Sequence, residues 1–138
     1  MPIRRLHLIL GLLLFAVFVI TGSYMRADFP DKDLIPPDLR ILMRSRHLYI
    51  FFDSMVLIAL GLYFELKGGF VRRTLQMAGS SFLLLSAVML VWAWYAESYE
   101  LQHFSSISGY GIYSTLAGIG LHVLAGIPSF RPPRPGGA

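Results

Sequence analysis

Asp53, which has an ionisable carboxyl group, lies inside a long apolar run of the sequence. A carboxylate at such a position is costly in a membrane and normally faces protein or water. Asp53 can carry a proton, bind a cation or act as a general base, and Arg46 lies seven residues earlier on the same helical face. In the structural alternative, Asp53 is a buried acid that pairs with Arg46 or bonds to Thr21 or Tyr113 of neighbouring helices. Asp53 and Arg46 are therefore the candidate catalytic residues.

Four histidines indicate a second chemistry, the binding of haem b. A haem in a helical bundle is held by two imidazoles from facing helices at the same depth. His7 and His122 lie near one end of their helices and form the better pair, while His47 and His103 lie near the opposite end. At 1.5 Å per residue the two levels are about 15 Å apart, so no contact is expected between Asp53 and His122. No two histidines have the spacing of zinc ligands on a helix, and no metal-ion site is predicted.

The overall composition argues against a water-soluble protein. Of the 138 residues, 55% are hydrophobic and only 14% are charged, which is too few for the surface of a soluble domain. The absence of cysteine excludes disulfides, thiolate metal sites and a thiol nucleophile. The net charge of +4 reflects basic residues beside apolar runs, so no nucleic-acid partner is predicted.

Four apolar segments are each long enough to cross a bilayer, which takes about 20 residues of helix. Backbone groups in lipid must be satisfied within the segment, and no barrel-like alternation is present. The predicted fold is all-α, an integral membrane antiparallel four-helix bundle with four transmembrane helices in a single domain over residues 1–127. The predicted spans cover residues 6–25, 47–66, 75–96 and 107–127.

The segments outside the spans differ in character. Residues 26–46 are predicted to form an extramembrane loop that ends in the basic start of the second helix, where Arg40, Arg44 and Arg46 contact lipid phosphates. Residues 128–138 are predicted to be a disordered tail rich in proline and glycine.

Lysine and arginine favour the cytoplasmic side of a membrane protein. The N-terminus, the loop between the second and third spans and the tail carry seven of them, and the first loop carries five. Both termini are therefore predicted to be cytoplasmic, in a cell inner membrane. In an alternative interpretation, Arg4 and Arg5, the apolar run and the segment from Thr21 to Ser23 form a cleaved signal peptide, which would leave three spans.

Small and polar residues recur at heptad spacing on one side of each span, where they allow helix backbones to approach. On the second span this predicted inward stripe contains His47, Phe51, Ser54, Ile58, Gly61 and Glu65. Such a seam serves the interior of a bundle and a homo-oligomer equally well. The predicted helix-packing residues are Gly11, Gly61, Gly79, Gly111, Thr115 and Gly118.

The segment from Arg46 to Asp53, at the start of the second of four spans, resembles part of the Arg-x-x-x-Asn-x-x-Glu motif of the membrane-associated eicosanoid and glutathione metabolism family. Ile50 stands at the asparagine position and Asp53 at the glutamate position. The third span lacks the arginines that this family uses for glutathione. The resemblance is confined to these eight residues and implies no glutathione site.

These patterns predict a non-catalytic role, that of a structural, accessory-subunit or partner-binding bundle in the lipid bilayer. Its partner would be another membrane protein or a second copy. Two alternatives stay open: a b-type haem electron carrier that uses His7 and His122, and a membrane enzyme acting on a lipid or quinone-like substrate near Arg46 and Asp53.

Overall fold

The computed structural model describes residues 3–28, 34–66, 68–97 and 107–127. These residues contain no strand, and the prediction of an all-α protein is confirmed. His103 and the predicted tail over residues 128–138 lie outside the described residues. The helices are α1 (Ile3–Asp28), α2 (Pro37–Tyr63), α3 (Phe70–Ala96) and α4 (Ile107–Gly126).

Three helices, α1, α2 and α3, are long and apolar enough to cross a membrane. Large apolar side chains cover their outer surface, among them Ile20 at 66% exposure and Val88 at 69%. An apolar exterior of this kind is typical of helices that face lipid, because water would disfavour it. α4 is shorter, with 20 residues, and its membrane insertion stays a prediction.

The starts of α2 and α3 follow from local sequence. Pro37 opens α2, where its missing N–H has no intrahelical partner to lose, and Asp38 in the first turn interacts favourably with the helix dipole. Gly68 and Gly69 precede α3, and Gly68 adopts a φ of 106°, a conformation that other residues rarely reach.

Glycines bring the helices together in two pairs. In the first helix pair, α1 and α2, a methyl group at Gly61 would lie 2.6 Å from Leu8 Cα, and one at Gly11 would lie 2.7 Å from the backbone nitrogen of Ile58. In the second helix pair, α3 and α4, a methyl group at Gly79 would lie 2.9 Å from the carbonyl oxygen of Gly118. Both pairs therefore pack backbone against backbone.

The two pairs meet mainly through α2 and α3. α1 contacts α3, and α2 contacts α4, over much smaller areas. Within the described segments the backbones of α1 and α4 do not approach each other. The core between the pairs is formed by leucine, isoleucine and alanine side chains: Leu14, Ile50, Leu57, Leu83, Ala87 and Leu90.

The buried face of α2 differs from the predicted heptad stripe. Ser54 and Gly61 are buried, and the predicted inward position of Glu65 is wrong, because Glu65 is exposed. The other three members of the stripe are only half-buried: His47, Phe51 and Ile58. α2 packs against α1 on one side and against the second helix pair on the other, so its buried face is wider than a single stripe. The buried residues of α2 are Met43, Arg46, Ile50, Asp53, Ser54, Leu57 and Gly61.

Candidate functional site

Buried polar side chains meet between the helix pairs at three levels along the bundle. The histidine level contains His7 and His122, the aspartate level contains Asp53, and the arginine level contains Arg46 and Glu97. Each level joins side chains from both pairs. Polar contacts of this kind hold membrane helices together, and they are also where membrane proteins place functional groups.

At the histidine level, the imidazoles of His7 and His122 lie edge to face. Their ring centroids are 6.3 Å apart and their planes make an angle of 81°. His7 is fully buried, and neither of its ring nitrogens has a hydrogen-bond partner among the described residues. A neutral imidazole carries one N–H donor and one acceptor, and leaving such groups buried and unsatisfied costs about 1–3 kcal/mol each. His7 is therefore a buried imidazole with both nitrogens unsatisfied by the described residues.

Three other residues enclose the two imidazoles. Phe64, which follows α2, has its ring centroid 5.7 Å from that of His7 and 5.1 Å from that of His122. The hydroxyl of Ser80 lies 3.3 Å from His122 Nε2. Gly79 makes room for this imidazole, because a methyl group there would lie 2.9 Å from His122 Cδ2.

The donor set at this level restricts the metals that it can bind. Across the described part of the chain, no three histidine, aspartate or glutamate side chains are grouped to hold a metal ion. Two imidazoles alone suit a metal that brings its remaining ligands with it, as haem iron does. His7 and His122 are the side chains that could hold such a group, and their ring centroids are 6.3 Å apart.

At the aspartate level, Asp53 is fully buried and its Oδ1 accepts two hydroxyl hydrogen bonds. Ser86 Oγ donates at 3.0 Å from α3 and Thr115 Oγ1 donates at 3.1 Å from α4. The prediction that Thr21 or Tyr113 bonds to Asp53 is wrong. Thr21 Oγ1 lies 2.9 Å from a histidine nitrogen instead, and Tyr113 is exposed.

At the arginine level, Arg46 forms a buried ion pair with Glu97, with 3.7 Å between Nε and Oε2. Arg46 Nη1 also donates to the carbonyl oxygen of Glu97, just after the end of α3. The Glu97 carboxylate accepts hydrogen bonds from the backbone N–H groups of Ile107 and Ser108, in the first turn of α4. A carboxylate at a helix N-terminus is favoured by the helix dipole. The pair thus joins α2, the end of α3 and the start of α4.

This geometry corrects the expected position of Arg46. The prediction that Arg46 contacts lipid phosphates is wrong, because the residue is only 3% exposed, whereas Arg44 is exposed. The partner of Arg46, Glu97, was not predicted from the sequence. A single signal was present, since Glu97 is an acidic residue directly after the third apolar run and at the same end of the bundle as Arg46.

The second predicted haem pair has one described member. His47 is half-buried, its Nδ1 lies 2.9 Å from Thr21 Oγ1, and its ring stacks on Phe18 with centroids 4.2 Å apart. His103 lies outside the described residues, so the pairing of His47 with His103 stays a prediction.

An apolar groove of about 670 Å³ runs between α1 and α3. Neither Arg46 nor Asp53 lines it, so it does not join the two candidate catalytic residues. Its lining consists of aliphatic and aromatic side chains: Leu10, Leu13, Leu14, Val17, Ala87, Val88, Val91, Trp92 and Tyr95.

No protein-family model, no curated protein and no solved structure matches this chain. The functional interpretation therefore rests on the three polar levels.

Proposed function

We propose that this chain is a membrane electron carrier that binds one haem b between His7 and His122. The supporting observation is the geometry of the histidine level. Two imidazoles from different helix pairs have centroids 6.3 Å apart, and the fully buried ring of His7 has no partner for either nitrogen. Ligation to iron would satisfy one of these nitrogens.

The haem would supply reversible one-electron chemistry. The chain supplies two ligands and controls their orientation. Ser80 Oγ lies 3.3 Å from His122 Nε2, so Nδ1 is the nitrogen of His122 that remains for a metal. A hydrogen bond to the other ring nitrogen orients a metal-binding imidazole. Phe64 contacts both rings and would supply apolar packing beside a haem bound there. The absence of backbone packing between α1 and α4 leaves the intervening space to side chains.

The proposed membrane arrangement is an antiparallel four-span bundle in a bacterial inner membrane, with α4 inserted and both termini in the cytoplasm. Basic residues at the histidine end support it. Arg4 donates to the carbonyl oxygens of Gly61, at 3.0 Å, and Leu62, at 2.6 Å, and Arg72 donates to that of Ile127, at 2.7 Å. These arginines bind the carbonyl ends of α2 and α4, where a positive charge is favourable.

A second candidate is a structural or accessory subunit without a cofactor, with a membrane protein or a second copy as partner. The arginine level favours it, because Arg46 and Glu97 serve to connect three elements. An enzyme acting near Arg46 and Asp53 stays a prediction. It has less support than the other two candidates, because Arg46 and Asp53 contact different partners.

The visible absorption spectrum of the full chain tests the haem proposal. We expect protein purified in mild detergent from haem-supplied cells to show a Soret band and sharper visible bands after reduction. His7→Ala and His122→Ala should each lower the haem content by more than about tenfold, because even indirect partners of metal ligands contribute about tenfold or more to affinity.

His47→Ala is the matched control, since this ring lies at the other end of the bundle, bonded to Thr21. It should keep the spectrum. A colourless wild-type protein under full haem supply contradicts the proposal, as does an unchanged spectrum in the His7 and His122 variants. A colourless but folded protein would leave the accessory subunit as the better candidate.

A further inference from the structure

Asp53 lies on α2 and contacts α3 and α4, and its two carboxyl oxygens have different hydrogen-bonding environments. Oδ1 accepts hydrogen bonds from Ser86 and Thr115, whereas Oδ2 is buried with no hydrogen-bond partner in the described residues. An ionised carboxylate would place half of its charge on an oxygen without a donor. Burying such a charge is costly, and a neutral acid avoids most of that cost.

The surroundings of Asp53 provide no compensating charge. The described faces of α1, α3 and α4 that pack around it carry no charged side chain at its level. The nearest charged or histidine side chains are Arg46 and His47 along α2 and His122 along α4, each about two helical turns away. A phenol, Tyr49, lies one turn away on α2 and lines a small pocket beside Thr115. Arg46 is itself paired with Glu97. The environment therefore favours the uncharged form of the acid.

The two hydroxyls beside Asp53 can serve either charge state. Ser86 Oγ lies 3.0 Å from Asp53 Oδ1 and also 2.8 Å from the carbonyl oxygen of Leu83. Thr115 Oγ1 lies 3.1 Å from Oδ1 and 3.2 Å from the carbonyl oxygen of Gly111. Each hydroxyl has one hydrogen and can fully donate to one of these acceptors at a time.

These distances allow the two hydroxyl hydrogens to change acceptor without any movement of heavy atoms. When Asp53 is neutral, both hydroxyls donate to the carbonyls of their own helices, and one of them accepts the carboxyl proton. When Asp53 is ionised, both hydroxyls rotate and donate to Oδ1. The same packing therefore accommodates the acid before and after it loses its proton.

A small pocket of about 30 Å³ lies next to Thr115. Its lining is almost entirely apolar, and a cavity of this kind does not stabilise the ionised form of Asp53. The pocket is lined by residues of α2, α3 and α4: Tyr49, Phe52, Leu90, Ile112, Thr115 and Leu116.

We propose that Asp53, Ser86 and Thr115 form a proton-binding site in the membrane-spanning core, which holds Asp53 as the neutral acid. The site uses neither His7 nor His122. A test of this site is therefore independent of a test of the proposed haem.

Infrared spectroscopy of the full chain in detergent tests this site. At neutral pH we expect a carbonyl band of a protonated carboxyl group, which shifts in D₂O, disappears at high pH and is lost in Asp53→Asn. Thr115→Val keeps the side-chain volume but removes the hydroxyl, and it should shift this band. Glu65→Gln is the control, because Glu65 is exposed and its loss should leave the band unchanged.

The absence of a protonated-carboxyl band at neutral pH overturns the proposal, and so does persistence of the band in Asp53→Asn. A rise in melting temperature with sodium chloride that choline chloride does not reproduce, seen in the wild type and lost in Asp53→Asn, would replace the proton with a cation. If Asp53→Asn does not fold, the shift of the band in Thr115→Val and Ser86→Ala decides the question, and an unshifted band contradicts the site.

Discussion

Replacing Arg46 with alanine is expected to destabilise the protein by about 3–5 kcal/mol, because removal of one partner from a buried ion pair leaves the other charge uncompensated. Glu97 would keep its two backbone donors from α4 but lose its cation. The hydrogen bond from Arg46 to the carbonyl oxygen of Glu97 would be lost as well. The arginine end of the bundle should loosen as a unit, since the pair connects α2 with both helices of the second pair.

The measurement is the free energy of unfolding in detergent, obtained from denaturant or thermal transitions. Arg44→Ala is the matched control, because Arg44 lies two residues earlier on α2 and is exposed. It should change stability by less than about 0.5 kcal/mol, as surface substitutions usually do. Equal effects of Arg46→Ala and Arg44→Ala would show that the buried pair does not stabilise the bundle.

A double-mutant cycle separates the pair from the helix cap. Glu97→Gln removes the charge but keeps an oxygen that can accept from the start of α4. Adding Glu97→Gln to Arg46→Ala should recover part of the lost stability, because no unpaired charge then remains. Strictly additive effects of the two substitutions would contradict a direct interaction between Arg46 and Glu97.

Substituting the packing glycines with leucine is expected to have an effect at least as large. A methyl group at Gly61 would lie 2.6 Å from the backbone nitrogen and Cα of Leu8, so α1 itself must move. At Gly118 it would lie 2.6 Å from Leu83 Cγ and 2.9 Å from the carbonyl oxygen of Gly79. Overpacking by single methylene groups costs about 1–3 kcal/mol. Gly61→Ala should fall in this range, and Gly61→Leu and Gly118→Leu should prevent accumulation of folded protein.

Gly120 provides the control on α4, because a methyl group there would have no neighbour within 4 Å. Gly120→Ala should leave stability unchanged or raise it by about 0.5–1 kcal/mol, since alanine loses less conformational freedom than glycine in a helix. Melting temperatures and the yield of monodisperse protein measure both effects. Similar melting temperatures for Gly61→Ala and Gly120→Ala would contradict the close approach of α1 and α2.

The sequence by itself determined the fold class and the level of most polar residues. Long apolar runs without barrel-like alternation leave helices as the economical structure, and three of the four runs form helices able to cross a membrane. The position of a residue along a helix follows from counting at 1.5 Å per residue. For this reason His7 and His122 were placed at one end, where their rings meet, and Asp53 was kept apart from His122.

Only the tertiary structure decided which side chains become partners. Each residue turns a helix by about 100°, so a small rotation exchanges one facing side chain for another. Asp53 therefore bonds to Ser86 and Thr115 rather than to Thr21 or Tyr113. In the same way, Arg46 turns inward to Glu97, 51 positions away, although counting along its own helix placed it at the lipid surface. Depth can be read from one helix alone, whereas partner choice depends on the rotation and packing of several helices together.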